Sequence, residues 1–169
     1  MDMTNRLPKE VAVYELLEKL EMHWEQVDHE AAMDMAACEA VDEMLGVVMC
    51  KNLFLCNRQH TQFYLLMMPG DKPFKTKDLS HQIGSARLSF AEAEYMEQYL
   101  NITPGAVSVM GLMNDLDNHV QLLIDEDVIA QEGLGCHPCV NTSSVKLLTR
   151  EVLEKFLPAV HHDYQVVQL

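Results

Sequence analysis

Two apolar runs a few residues apart constrain this chain more than any other feature. Val47-Val48-Met49-Cys50-Lys51-Asn52-Leu53-Phe54-Leu55 and Gln62-Phe63-Tyr64-Leu65-Leu66-Met67 flank a polar connection, Asn57-Arg58-Gln59-His60. A strand that is apolar on both faces must be covered on both, so the pair predicts a hairpin of central strands. Pro69-Gly70-Asp71 ends the second run. Lys51 is out of place in the first. Lysine is almost never fully buried unless paired, so Lys51 is expected at a cleft, where its compact ammonium suits a phosphate. The plainer alternative is a strand-end lysine reaching solvent.

The rest of the chain supplies the covering layers. Glu10 to Glu21 has apolar residues at helical spacing, with Pro8 in the first turn. Trp24 to Asp28 reads as a short strand, and Ala32 to Leu45 as a second helix stopped by Gly46. Lys77 to Ile83 predicts a short helix closed by Gly84. Ser89 with Glu92 three residues on predicts a capping box, opening a helix through Phe90, Ala93, Met96 and Leu100. Thr103-Pro104-Gly105 is a turn, and Val107–Leu112 and Val120–Ile124 are strand candidates. Thr149 is expected to cap a last helix over Glu151–Leu157, and Tyr164–Leu169 to add an edge strand. The 169 residues suffice for one domain with a real core. Strands and helices mix without strict alternation. The expected class is therefore α+β (mixed α/β), a single domain over 1–169.

Charge narrows the partners. The net charge is −14, which argues against a general nucleic-acid binder. Residues 1–50 carry 3 Lys+Arg against 12 Asp+Glu, and residues 91–169 carry 3 against 12. Residues 51–90 reverse the balance, with 6 against 2. This basic island suits the end of a polyanion, while the acidic remainder suppresses unspecific binding. No apolar run approaches the ~18 residues of a membrane span, and the polar N-terminus has no signal-peptide pattern. An odd number of cysteines, 5, fits a reducing compartment. The expectation is a soluble cytoplasmic protein with no membrane partner.

The stretch Gly133-Leu134-Gly135-Cys136-His137-Pro138-Cys139-Val140-Asn141-Thr142 reads as a rigid loop leading into a strand, Val145–Leu148. Glycine lets a backbone approach a ligand closely, and Pro138 biases His137 toward an extended conformation. Such a loop can wall an ester-binding pocket, or be a tight turn with a surface histidine. Cys136 and Cys139 have a C-x-x-C spacing but lack the strand-to-helix setting of a redox motif. Zinc would need further ligands, and no G-x-S-x-G elbow is present. The other histidines read mostly as surface residues, and the 12 methionines as core.

Four segments in order, Cys50-Lys51-Asn52-Leu53-Phe54-Leu55, Ala86-Arg87-Leu88-Ser89-Phe90-Ala91, Pro104-Gly105-Ala106-Val107-Ser108 and His137-Pro138-Cys139-Val140-Asn141-Thr142, resemble the YbaK/ProX family, the prolyl-tRNA-synthetase-associated domain. The resemblance spans roughly residues 22–158 and is nearest the freestanding branch that clears alanine from proline tRNA. It implies a central mixed, mostly antiparallel sheet surrounded by helices, and hydrolysis of an aminoacyl ester without metal or other cofactor. It implies that Lys51, His137 and Gly135 are the catalytic set. Asn52, Arg87, Ser89, Cys136, Pro138 and Asn141 are then substrate-binding, and Lys72, Lys75 and Lys77 contact tRNA. His137 would shape the pocket, with the tRNA's own 2′-hydroxyl assisting the attacking water. The implied partner is mischarged tRNA(Pro), with prolyl-tRNA synthetase as a second candidate. Two alternatives stay open: Cys-tRNA(Pro) as substrate, and a non-catalytic module that binds a synthetase.

Overall fold

In a computed structural model the hairpin lies at the heart of the molecule. The structure describes residues 2–31, 35–47 and 49–169, the side chains of residues 35–38 aside. Strands β2 (Cys50–Asn57) and β3 (Phe63–Pro69) pair antiparallel, with Lys51 opposite Met68 and Phe54 opposite Leu65. They lie in the interior of a five-stranded sheet completed by β4 (Leu88–Phe90), β5 (Val120–Asp125) and β8 (Tyr164–Val167), in the order β4-β2-β3-β5-β8. β4 is antiparallel to β2, whereas β5 runs parallel to β3 and β8 parallel to β5.

Burial on both faces explains the unbroken apolar runs. Phe54, Cys56, Phe63, Leu65 and Met67 enter the larger core, which also takes Val13, Tyr14 and Leu17 from α1 (Pro8–Lys19). The alternate residues Leu55, Tyr64, Leu66 and Met68 pack in a second core with Leu88 and with Leu79 of α3 (Thr76–Ile83). The alternation follows the two-residue period of a strand.

A second sheet of three antiparallel strands, in the order β1-β7-β6, is formed by β1 (Trp24–Asp28), β6 (Gly133–Cys136) and β7 (Ser143–Leu148). Among the described residues one isolated bridge, Met49 to Gly135, joins it to the larger sheet. Gly135 permits that approach, since a Cβ there would stand 2.6 Å from Met49 Sδ and 3.2 Å from Val47 Cγ1. α2 (Met35–Leu45) lies beside this seam, and α4 (Ala93–Leu100) and α5 (Glu126–Ile129) complete the layers.

Four expectations give way. Ser89 does not cap a helix: residues 88–90 form an edge strand whose partners are Leu55, Cys56 and Asn57. The open edge of β2 outbids local capping, and α4 begins only at Ala93, without a side-chain cap. Val107–Leu112 is not a strand but leads into a 3-10 helix, Val109–Asn114, capped by Ser108 Oγ accepting from the Met110 N–H at 3.1 Å. Val109, Met110, Gly111 and Leu112 are all buried, so no face periodicity marked the element. The glycine stretch is strand rather than loop as far as Cys136. Thr149 is not the final cap: Leu148 holds that position, and Thr149 Oγ1 is buried with no partner among the described residues.

That last helical segment runs as α6 (Thr149–Glu151), a wider π turn over Val152–Phe156, and α7 (Leu157–Ala159). The expected helix start at Ala32 and strand residue Val48 lie outside the described residues. Among the histidines, His162 is buried rather than on the surface, its Nε2 3.3 Å from the Asp115 carbonyl oxygen. No helix is long and apolar enough to cross a membrane among the described residues.

Candidate active site

A cleft of about 540 Å³ opens across the seam between the two sheets. Its size is that of a small-ligand pocket. The larger sheet contributes Cys50 and Lys51, and the turn after β3 contributes Gly70 and Asp71. The smaller sheet and its loops contribute His29, His137, Asn141 and Ser144, and α2 contributes Asp42. Gly105, at φ +90°, closes the wall, and a Cβ there would come within 3.4 Å of Asn141 Nδ2.

Lys51 therefore does emerge at a cleft, as an interrupted apolar strand requires. Its ammonium donates to the Lys72 carbonyl oxygen at 2.8 Å, and among the described residues to no carboxylate. Neighbouring Asn52 is half-buried. Its Nδ2 donates to the Cys50 carbonyl at 3.3 Å, and its Oδ1 is buried with no partner among the described residues.

The histidine wall is fixed from behind. His137 Nδ1 lies 2.9 Å from the Ser143 carbonyl oxygen. A carbonyl only accepts, so Nδ1 carries the hydrogen and Nε2 keeps its lone pair in the neutral ring. Burial lowers the His137 pKa, against the pull of the Ser143 carbonyl. His29 is held alike, Nδ1 donating to the Glu30 carbonyl at 2.7 Å while Nε2 accepts from the Ser144 hydroxyl at 2.8 Å. The two imidazoles stand 6.3 Å apart.

Ser143 is itself anchored. Its hydroxyl donates to Asp28 at 2.6 Å, and the Arg6 guanidinium binds Asp28 at 2.7 Å and the buried Glu10 at 2.6 Å. Arg6 and the Ser143 hydroxyl hold the Asp28 carboxyl well below the usual carboxylate range. The pairing of Asp28 with Ser143 across β1 and β7 brings these groups together.

A titration follows. A histidine that is easier to protonate unfolded than folded contributes stability above its unfolded value, about 6.5, and loses it as pH falls below that. Following the His137 ring signals by NMR should give a midpoint below 6.5; a midpoint at or above it would contradict the buried, neutral ring.

Lys51, His137 and Asn141 thus share one cleft. Gly135 and Cys136 lie behind it in β6, and Pro138 begins the loop to Asn141. The backbone of β6 is paired with β7 and bridged to Met49, and what Gly135 brings to this seam is the lack of a side chain. Arg87 and Ser89 stand away from the cleft, beside and within β4, and both are exposed. Lys75 and Lys77 are exposed at the start of α3. Lys72 is spoken for: its ammonium lies 2.8 Å from both the buried Asp125 and Asp127.

The sequence reading missed His29, Asp42, Asp71 and Ser144. His29 follows a strand candidate directly, the one signal that marked it. Asp42 accepts from the Met49 N–H at 3.1 Å, and its pKa is raised by burial. Cys136 and Cys139 are buried free thiols; burial pushes Cys139 up to about 12 and Cys136 higher still. Thiolate is the reactive form, so neither is activated. Among the described residues no group of three or more His, Cys, Asp or Glu side chains is arranged to hold a metal ion.

Split sheets around a cleft that pairs a strand lysine with a neutral histidine define a small-ligand pocket of an α+β domain. The aminoacyl-tRNA editing domain model matches residues 29–155, and the chain belongs to that family. It is 30% identical over 158 residues to the prolyl-tRNA editing protein ProX of Acetoanaerobium sticklandii, covering 94% of this chain and 96% of that one. It is 24% identical to the prolyl-tRNA synthetase associated domain-containing protein 1 of Danio rerio, covering 88% of this chain and 80% of the relative. A solved structure described as a candidate trans-editing enzyme for prolyl tRNA synthetase shares the fold, with a TM-score of 0.70 at 15% identity over 96% of this chain and 98% of the other.

Proposed function

We propose that the chain is a trans-editing hydrolase that cleaves the aminoacyl ester of mischarged tRNA(Pro), with alanine as the amino acid removed. The observation that carries this reading is the Lys51 ammonium presented inside a small cleft opposite a neutral His137. An ester substrate brings a terminal ribose and phosphate for the cation, and a carbonyl that gains negative charge during attack. Lys51 orients the terminal nucleotide, which supplies proximity. The His137 Nε2 lone pair accepts a hydrogen bond from the attacking water or from the ribose hydroxyl next to the ester, which in turn steers the water. The loop that carries Asn141 supplies donors toward the developing oxyanion. ProX, the relative from Acetoanaerobium sticklandii, bears a name that fits the same substrate class. Cytoplasmic work beside prolyl-tRNA synthetase, the source of the mischarged ester, belongs to the same proposal.

The test uses separately charged Ala-, Cys- and Pro-tRNA(Pro). Fast ester loss from the alanyl substrate with the prolyl ester spared is the expected result. Preference for the cysteinyl ester would reassign the amino acid, and equal loss of all three would sink the editing reading.

A further inference from the structure

Phe90 is the largest apolar side chain of β4 and is 60% exposed, although Leu88, two residues before it on the same face, is buried. It pairs with Leu55, so it lies on the face of the sheet shared by Leu53 and Lys51. The ring of Phe74 meets it near-perpendicularly, centroids 6.3 Å apart, and packs on the second core. Phe74 thus props one side of Phe90 and leaves the rest open.

Three exposed cations stand close to Phe90 in the chain, together with the exposed carboxylates Asp78 and Glu92. Lys75 follows Phe74, Lys77 lies in the first turn of α3, and Arg87 precedes β4. All are exposed, and none has a carboxylate within 4.0 Å among the described residues. The turn from Gly70 to Phe74, whose Lys72 carbonyl holds Lys51, leads from the cleft to this patch. Along β2, Lys51 and Leu55 are about 13 Å apart at ~3.3 Å per residue.

We propose that Phe90, propped by Phe74 and flanked by Lys75, Lys77 and Arg87, is a stacking platform for an unpaired base near the 3′ end of tRNA. This rests on the tRNA reading above and adds a binding element to it. A strand whose last nucleotide sits at Lys51 has its preceding nucleotides within reach of Phe90. An aromatic face beside unpaired cations is the combination that holds single-stranded nucleic acid, since every base offers a π face. The acidic surface elsewhere steers a polyanion to this side. A protein partner would be served by the open backbone edge of β4 without needing three free cations.

The test compares wild type, Phe90→Ala and Phe90→Trp for binding of uncharged tRNA(Pro) and of the same tRNA trimmed of its unpaired 3′ nucleotides. Phe90→Ala should weaken binding of the intact tRNA roughly 5- to 100-fold, Phe90→Trp should restore it, and trimmed tRNA should not distinguish the three. Unchanged affinity of a Phe90→Ala protein with wild-type melting would overturn the proposal and leave the face to a protein partner. An equal loss for trimmed tRNA would also overturn it. Deacylation by the wild type is scored separately. No hydrolysis together with Phe90-dependent binding sinks the hydrolytic reading alone, and hydrolysis with Phe90-independent binding sinks the platform alone.

Discussion

Lys51→Ala should lose roughly 10- to 150-fold in kcat/KM on mischarged tRNA(Pro) while folding normally. Among the described residues the side chain makes one hydrogen bond, to the Lys72 carbonyl in an open cleft, where water replaces it. The substrate contact is another matter. Hydrogen bonds to charged groups are worth about 1.5–3 kcal/mol, which converts to the stated loss, and misplacement of the ester adds to it. Lys51→Arg should not restore full activity, because a planar fork cannot replace a point charge in a tight site. Single-turnover hydrolysis at subsaturating substrate, with a melting curve for each variant, is the measurement. Near-normal turnover by a folded Lys51→Ala protein would remove this residue from the centre of the mechanism.

Lys72→Met should damage the fold rather than tRNA affinity alone. The Asp125 carboxylate is fully buried, accepting from Lys72 through Oδ2 and from the Asp127 N–H through Oδ1 at 3.1 Å. Without Lys72 it is left charged and uncompensated. Removing one partner of a buried pair costs about 3–5 kcal/mol; the lower end applies here because Lys72 is itself partly exposed. Even that is a large part of the 5–15 kcal/mol that hold a typical domain together. Denaturant titration should therefore separate Lys72→Met from Lys75→Ala and Lys77→Ala. Those two should melt like wild type and show weaker, less salt-dependent tRNA binding. A Lys72→Met protein as stable as wild type would show that Asp125 is satisfied some other way.

How legible this molecule was depended on which force placed each part. The central hairpin was legible because two buried faces leave no polar residue to spare, so Leu53 to Leu55 and Phe63 to Met67 read unmistakably. Lys51 was legible for the converse reason, a charge where the pattern forbids one. The motif resemblance supplied roles for Arg87 and Asn141 that spacing alone did not. Residues 88–90 were misread because Ser89 and Glu92 form a sound local cap, and only the distant edge of β2 decides against it. His29 and Ser144 escaped because their association is a product of strand register, 115 positions apart in the chain. Lys72 looked like a free cation because Asp125 is 53 residues away.

Among the described residues the backbones of the two sheets meet at one bridge, Met49 to Gly135, while Phe54 and Leu65 of one sheet share a core with Leu134 and Val145 of the other. Lys51 belongs to one sheet and His137 to the loop of the other, so each keeps its own hydrogen bonds if the sheets shift as units. What sits at the bridge, a hydrogen atom on Gly135 and a pliable thioether on Met49, sets how closely they meet. A larger residue at either position would lengthen the gap while leaving both functional groups chemically unaltered.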